Sequence, residues 1–97
     1  MKAVLVTTDL DGKTQIEYEN LFAAIERDLK RAPGFIFHSS HRINGGWRLI
    51  EAWHTKDAAS KFFREKVAPL LSTNRKPIRT YQDLNNYLKS SKRVIGS

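Results

Sequence analysis

The first predicted element is a strand that is apolar on both of its faces. Residues 2–8 (KAVLVTT) are rich in β-forming residues, and their apolar side chains fall on both sides of the strand. A strand of this kind lies in the middle of a sheet that is covered on both faces. Residues 9–13 carry the Asp and Gly residues typical of a turn, so we expect the strand to end at Thr8.

The next segment carries the spacing of an amphipathic helix over residues 15–31. Thr14 and Glu17 match a capping box, in which each side chain bonds the other residue's backbone N–H. The sequence Pro33-Gly34 ends the helix. The apolar positions recur at intervals of three and four: Tyr18, Leu21, Phe22, Ile25 and Leu29.

Two further β-rich segments, residues 35–43 (FIFHSSHRI) and 47–54 (WRLIEAWH), flank Asn44-Gly45. This dipeptide is a strong hairpin signal, because a type I′ turn needs a positive φ at both central residues. A two-residue loop pairs Ile43 with Gly46 and places His38 opposite Glu51. The same register places Ile36 opposite Trp53. A three-residue loop would instead place His38 opposite Ala52.

A second helix begins after the hairpin, with Thr55 as its N-cap and Asp57 in its first turn. Pro69 lies inside the helical pattern and should kink or break the last turn. Residues 74–77 read as a loop, and residues 78–88 contain a last strand. The buried stripe of the helix is predicted to be Ala59, Phe62, Phe63, Val67 and Leu70.

The order of elements predicts an α+β fold, a ferredoxin-like βαββαβ unit with a four-stranded antiparallel sheet. Both helices cross on one face of the sheet, and the first and third strands are central. Part of the apolar content of the strands must then lie on the face that no helix covers. An exposed apolar sheet is usually an interface, so we expect a homodimer in which the two open faces meet.

Composition narrows the class of protein. The chain has 97 residues, a formal net charge of +7 and no cysteine, which excludes disulfides, zinc–thiolate sites and thiol nucleophiles. We expect one domain over residues 1–88 and a basic tail over 89–97. No apolar run reaches a membrane span, and no signal peptide is evident, so we expect no membrane association and a cytoplasmic location. Basic charge is the one feature of the sequence that favours nucleic acid as a partner. The strands carry no RNP-like aromatic signature, so nucleic acid is not the expected partner.

Residues 32–71 resemble the antibiotic-biosynthesis-monooxygenase-like family of dimeric α+β barrels, and the resemblance extends over about residues 2–88. The matching features are Pro33-Gly34, His38, Gly45-Gly46-Trp47, Trp53, Phe62 and Pro69. The resemblance implies a ferredoxin-like protomer, a homodimer and an apolar cavity between the helices and the sheet. It also implies activities such as cofactor-independent oxygenation of polycyclic phenols, quinol oxidation or haem degradation, although many members have no assigned reaction.

The haem-degrading pattern is matched in part. Those members use an Asn on the first strand, a Trp ending the third strand and a His on the following helix. Trp53 matches the Trp, whereas Phe63 stands at the His position, and the first strand offers Thr7 and Thr8. The histidines are separated, and no His–carboxylate cluster has the spacing of a metal site. We therefore expect no haem, no metal and no other cofactor.

The candidate catalytic residues are His38, Glu51 and Trp53. In the two-residue-loop register, His38 is a base that Glu51 orients, beside an indole that could stack on an aromatic ligand. Such a site could take a proton from a phenol. The competing interpretation is a cross-strand hydrogen bond that only stabilises the sheet.

The expected site is a mostly apolar cavity lined by His38 and Trp53, with Glu51 or Arg48 near its mouth. Two function classes remain open on this basis. The first is a small cofactor-independent monooxygenase acting on an aromatic or polyketide-like molecule. The second is a dimer that binds a small apolar or aromatic ligand without turnover, and a basic nucleic-acid-binding module is less favoured. The helix residues of the opposite wall would be Phe22, Ile25, Phe62 and Phe63.

Overall fold

The computed structural model describes residues 3–71 and 76–86, so the predicted basic tail at 89–97 lies outside the described residues. The strands are β1 (Val4–Asp11), β2 (Phe35–Ile43), β3 (Gly46–Trp53) and β4 (Ile78–Asp83). The helices are α1 (Gln15–Arg31) and α2 (Lys56–Phe62). A π-helical turn (Phe63–Val67) and a 3-10 turn (Ala68–Leu70) continue α2.

The four strands form one antiparallel sheet in the order β2-β3-β1-β4. The predicted α+β, ferredoxin-like arrangement is confirmed, and so is the central position of β1 and β3. The core lies on the sheet face that packs against the helices, because alternate residues of β1 and β3 are buried there with the apolar stripe of α1. None of the helices in the described residues is long and apolar enough to cross a membrane.

The first helix begins and ends where its pattern predicts. The Thr14 backbone N–H donates to the Glu17 carboxylate at 2.9 Å, and the Glu17 N–H donates to the Thr14 hydroxyl at 3.2 Å, which completes the capping box. Lys30 and Arg31 lie in the last turn, where their charges favour the negative end of the helix dipole. The buried stripe is Tyr18, Leu21, Ile25 and Leu29.

The predicted end of β1 at Thr8 is wrong, since the strand continues to Asp11. Leu10 is 3 % exposed and therefore belongs to the core, and the Asp9 carboxylate pairs with Arg48 on β3. Strands β1 and β3 also approach closely where β1 ends and β3 begins, since a Cβ at Gly46 would overlap the backbone carbonyl oxygen of Leu10. Burial and pairing thus override the turn propensity of the Asp residues.

The two-residue-loop register of the β2–β3 hairpin is confirmed, with Ile43 opposite Gly46 and His38 opposite Glu51. The predicted type I′ turn is wrong, because only Gly45 has a positive φ (82°) in this loop. The pairing of Ile36 with Trp53 is also wrong. The register shifts between Phe35 and Phe37, so Phe35 lies opposite Trp53 and packs its ring edge against the indole.

The second helix changes its geometry before Pro69. Thr55 caps it as predicted, since its hydroxyl accepts from the Ala58 N–H at 3.0 Å. The helix widens into the π-helical turn at Phe63, and Pro69 lies in the final 3-10 turn. Proline has no N–H to continue the helical hydrogen bonds, so the tight last turn ends the element there.

The sheet face away from the helices carries apolar side chains next to polar ones. Leu5 and Ile50 are half-buried, and Ala52 is 3 % exposed. Phe37 and Ile78 are 44 % and 65 % exposed. Trp47 does not belong to this face, because it packs against Tyr18 on the helix side. We call this surface, defined by these five apolar residues, the open face.

Candidate functional site

His38 connects an α1 side chain to a buried carboxylate. Its Nε2 lies 2.7 Å from the Tyr18 hydroxyl oxygen, and its Nδ1 lies 2.6 Å from Glu51 Oε2. An ionised carboxylate can only accept, so the Nδ1–H donates to Glu51, and in a neutral ring this tautomer leaves Nε2 to accept from the Tyr18 hydroxyl. The side chains of His38 and Glu51 are only 6 % and 10 % exposed. The pair is therefore held in one orientation away from bulk solvent.

Glu51 also binds the Trp53 indole. The Trp53 Nε1–H donates to Glu51 Oε1 at 2.9 Å, and the Trp53 side chain is fully buried. The three predicted site residues thus belong to one hydrogen-bond network. The alternation of β3 places Glu51 and Trp53 on the helix side of the sheet, and the hairpin register adds His38 beside them.

Tyr18 is the member of the network that sequence reasoning missed. Its place in the apolar stripe of α1 indicated a core residue, and the stripe itself holds no signal for a partner on β2. Burial raises the pKa of the Tyr18 hydroxyl, against the hydrogen bond of Ser40, and the nearby Glu51 charge raises it further. The hydroxyl therefore stays protonated at neutral pH and can donate to His38.

Aromatic rings of α1 pack against the imidazole of His38. The Phe22 ring stacks on His38 at 5.1 Å between centroids, and the Tyr18 ring stacks on Trp47 at 5.6 Å. The Trp47 Nε1 is buried without a hydrogen-bond partner among the described residues. These rings shield the His38–Glu51 pair from water, which strengthens its hydrogen bonds.

His38 and Trp53, the residues expected to line the cavity, line neither of the following two clefts between the described residues. A cleft of about 320 Å³ lies between α1 and α2 and has Phe62 and Ala58 in its wall. A second, of about 280 Å³, lies beside the hairpin and is lined by Trp47 and Arg42. Trp53 is fully buried and packs against both Phe35 and Phe62.

The predicted position of Arg48 at the mouth of the site is wrong. Arg48 differs in strand parity from Glu51 and therefore points to the other sheet face. Its guanidinium donates to both carboxylate oxygens of Asp9, at 2.7 and 2.9 Å. This pair holds the pKa of Asp9 below its usual value, with the Arg48 hydrogen bond as the main cause.

This combination of four antiparallel strands, helices on one face and a βαββαβ order is the fold of the antibiotic-biosynthesis-monooxygenase-like proteins. No protein-family model matches the sequence, and no curated protein matches it significantly. The fold is assigned from similarity to solved structures. The three described next are each less than 25 % identical to this chain.

Three of these structures illustrate how varied the activities on this fold are. A protein from Caulobacter crescentus described as an antibiotic biosynthesis monooxygenase has 19 % identity and a TM-score of 0.64, covering 88 % of this chain and 92 % of its own. A haem-degrading protein from Mycobacterium tuberculosis has 13 % identity and a TM-score of 0.65, with 92 % and 98 % covered. A cofactor-independent oxygenase from Streptomyces nogalater has 17 % identity and a TM-score of 0.57, with 94 % and 98 % covered.

The residues present do not fit a haem. Phe63 stands where the haem-degrading pattern has its His, and the Arg79 guanidinium covers the Phe63 ring at 4.0 Å. Thr8, on the first strand, already accepts a hydrogen bond from Arg79. Trp53 is enclosed in the core. Among the described residues, no group of three or more His, Cys, Asp or Glu side chains could hold a metal ion.

Proposed function

We propose that the protein is a cofactor-independent monooxygenase that acts on a small aromatic or polyketide-like phenol. The observation that carries this proposal is the chain of hydrogen bonds from Tyr18 through His38 to Glu51. A neutral imidazole whose Nδ1–H is fixed by a carboxylate presents Nε2 as a base. In the resting structure that base already accepts from a phenol, which is the hydroxyl of Tyr18.

A phenolic substrate would take the place of the Tyr18 hydroxyl at His38 Nε2. His38 would remove its proton, and Glu51 would stabilise the imidazolium that forms. Trp53 keeps the carboxylate oriented by donating to its second oxygen. In this scheme Trp53 is a positioning residue, because its ring is buried and cannot stack on a ligand in this conformation.

The phenolate would then react with O₂, supplying all of the electrons itself. One oxygen atom enters the ring as a second carbonyl, giving a quinone, and the other leaves as water. A phenol with an unsubstituted para carbon balances this reaction without a metal or a flavin. The protein's part is to generate the phenolate and hold it away from water.

We further propose a cytoplasmic homodimer that buries the open face of each protomer. Leu5, Ile50 and Ala52 form a continuous apolar centre on this face, with Phe37 and Ile78 toward its edges. Leu5→Asp would put an unpaired charge into the interface and yield monomer or aggregate. Sedimentation of the wild-type protein as a stable monomer of 11.2 kDa would exclude the dimer.

The test of activity is oxygen uptake and quinone absorbance with 1-naphthol as the probe. His38→Ala should abolish both signals without loss of the fold. His41→Ala is the matched control, because His41 lies on the same strand but on the opposite sheet face, where its Nδ1 contacts a backbone oxygen at 3.0 Å. Equal oxygen uptake by wild type and His38→Ala would refute the proposed role of the base.

The second candidate function is a dimer that binds a small ligand without turnover. The saturated state of the network favours it, since both ring nitrogens of His38 are already bonded and Trp53 is fully buried. In that case His38→Ala would change stability, whereas a retained ligand would be found by native mass spectrometry of the freshly isolated protein. No phenol would then be oxidised by the wild type.

A further inference from the structure

A second polar cluster lies on the helix-covered sheet face, at the side opposite His38. Its centre is Arg79 on β4, which donates from Nη1 to the Thr8 hydroxyl at 2.8 Å. Its Nε and Nη2 donate to the Tyr81 hydroxyl at 3.3 and 3.2 Å. The Ser60 hydroxyl on α2 lies 3.1 Å from the same Tyr81 oxygen. Four polar groups thus converge between α2 and β4.

The two clusters share a register row on one sheet face, and Arg79 lies in the adjacent row. One row runs from His38 through Glu51 and Val6 to Tyr81. Glu51 and Tyr81 are therefore two strands apart, which corresponds to about 10 Å. That spacing is comparable to the length of a fused aromatic ring system.

Within residues 3–71 and 76–86, no carboxylate forms an ion pair with the cations of the second cluster, Arg79 and Lys56. Both cations nevertheless lie against aromatic rings, with Arg79 4.0 Å above Phe63 and the Lys56 ammonium 4.8 Å above Tyr81. Among the described residues, the groups that accept from the Arg79 guanidinium are the neutral hydroxyls of Thr8 and Tyr81, whereas an anion would accept more strongly.

Two further features point to a binding role for this cluster. The ring beneath Arg79 belongs to Phe63, the first residue of the π-helical turn, and such turns occur often at functional sites. The hydrogen bonds of Ser60 and Arg79, with the charges of Arg79 and Lys56, outweigh burial and lower the pKa of Tyr81. The surroundings of the Tyr81 oxygen therefore favour negative charge.

We propose that Arg79, Tyr81 and Ser60, with the Phe63 ring, form a subsite that binds an ionised oxygen of an aromatic ligand, either a carboxylate or a phenolate. The guanidinium supplies the charge-assisted hydrogen bonds, and Phe63 supplies an apolar surface for the ring. The choice of an aromatic ligand rests on the proposed function. Binding itself requires no turnover.

The test compares salicylate with salicylamide, its neutral analogue, in NMR titrations of the full-length protein under argon. Wild type should bind salicylate at least about tenfold more tightly, because only the carboxylate makes charge-assisted bonds. Arg79→Gln should remove this preference, and Arg79→Lys should retain part of it. Tyr81→Phe should weaken salicylate binding by about threefold through the loss of one hydrogen bond.

Arg42→Gln is the matched control, because Arg42 also lies over an aromatic ring, that of Trp47, but outside the subsite. It should leave both affinities unchanged. Equal salicylate binding by wild type, Arg79→Gln and Tyr81→Phe would refute the subsite, as would no binding at about 10 mM. Tighter binding of inorganic phosphate than of salicylate would refute an aromatic ligand. Salicylate binding without oxygen uptake from 1-naphthol would uphold the subsite and refute the proposed reaction.

Discussion

Removing the carboxylate of Glu51 tests whether the hydrogen-bond network organises the interior of the protein. Glu51 accepts from His38 Nδ1 and from Trp53 Nε1, and it is 7 % exposed. Glu51→Ala leaves two buried N–H groups without an acceptor, at a cost of about 1–3 kcal/mol each. We therefore expect the free energy of unfolding to fall by about 2–6 kcal/mol, the sum for the two groups.

Glu51→Gln separates stability from chemistry. The amide oxygen can still accept from Trp53, and the amide NH₂ can donate to His38 Nδ1. This donation moves the ring proton to Nε2, so that His38 can no longer accept from a phenol. We expect a loss of only about 1 kcal/mol in stability, because the network is still satisfied. Oxygen uptake should nevertheless fall as far as in His38→Ala.

Urea denaturation followed by tryptophan fluorescence gives the change in stability, and ¹⁵N chemical shifts of the imidazole report its tautomer. Glu26→Ala is the control, since Glu26 is a surface residue paired with Lys30 at 3.1 Å, with a side chain that is 45 % exposed. It should change stability by no more than about 0.5 kcal/mol. A loss of that small size in Glu51→Ala would refute the argument, as would full oxygen uptake by Glu51→Gln.

Three other variants test separate contacts. Tyr18→Phe removes the internal phenol and frees His38 Nε2 for a substrate, so we expect oxygen uptake to be kept or increased. A complete loss of oxygen uptake would instead make Tyr18 a required proton donor. Trp47→Phe removes an indole N–H that has no partner among the described residues, so no hydrogen bond is lost and denaturation should show a loss of about 1 kcal/mol, below the roughly 3–5 kcal/mol of a Trp→Ala truncation. A loss as large as that truncation would contradict the unpaired state. Asp9→Asn should lower the free energy of unfolding by less than about 1 kcal/mol above pH 5. Because the folded-state pKa of Asp9 is lowered, this stabilising contribution should be lost as the pH falls below about 4. A cost independent of pH would exclude the Arg48 pair as its source.

Local signals in the sequence were sufficient for both ends of α1 and the start of α2, and they narrowed the hairpin to two registers, of which the structure has the one with a two-residue loop. The capping residues Thr14 and Thr55 act as predicted, and Asn44-Gly45 sets the pairing of His38 with Glu51. Each of these features depends on residues that are close in the chain. They could therefore be derived without knowledge of the tertiary structure.

The features that could not be predicted depend on contacts between distant segments. The extension of β1 follows from the burial of Leu10, and the bulge near Phe35 follows from packing against Trp53. The bond from Tyr18 to His38 requires the rotation of α1 over the sheet, which no local pattern specifies. Whether a cavity lies beside His38 is likewise decided by side-chain packing, which no local pattern specifies.

The central position of β1 has a consequence for how the chain folds during synthesis. Val4 pairs with Trp53 on one side and with Asp83 on the other, so the sheet cannot close until Asp83 has left the ribosome. The hairpin of β2 and β3 and the two helices contain mainly local contacts and can form earlier. Until β4 is made, the nascent chain presents one edge of β1 without a partner. We therefore expect ribosome-bound chains that stop before β4 to depend on chaperones to avoid aggregation.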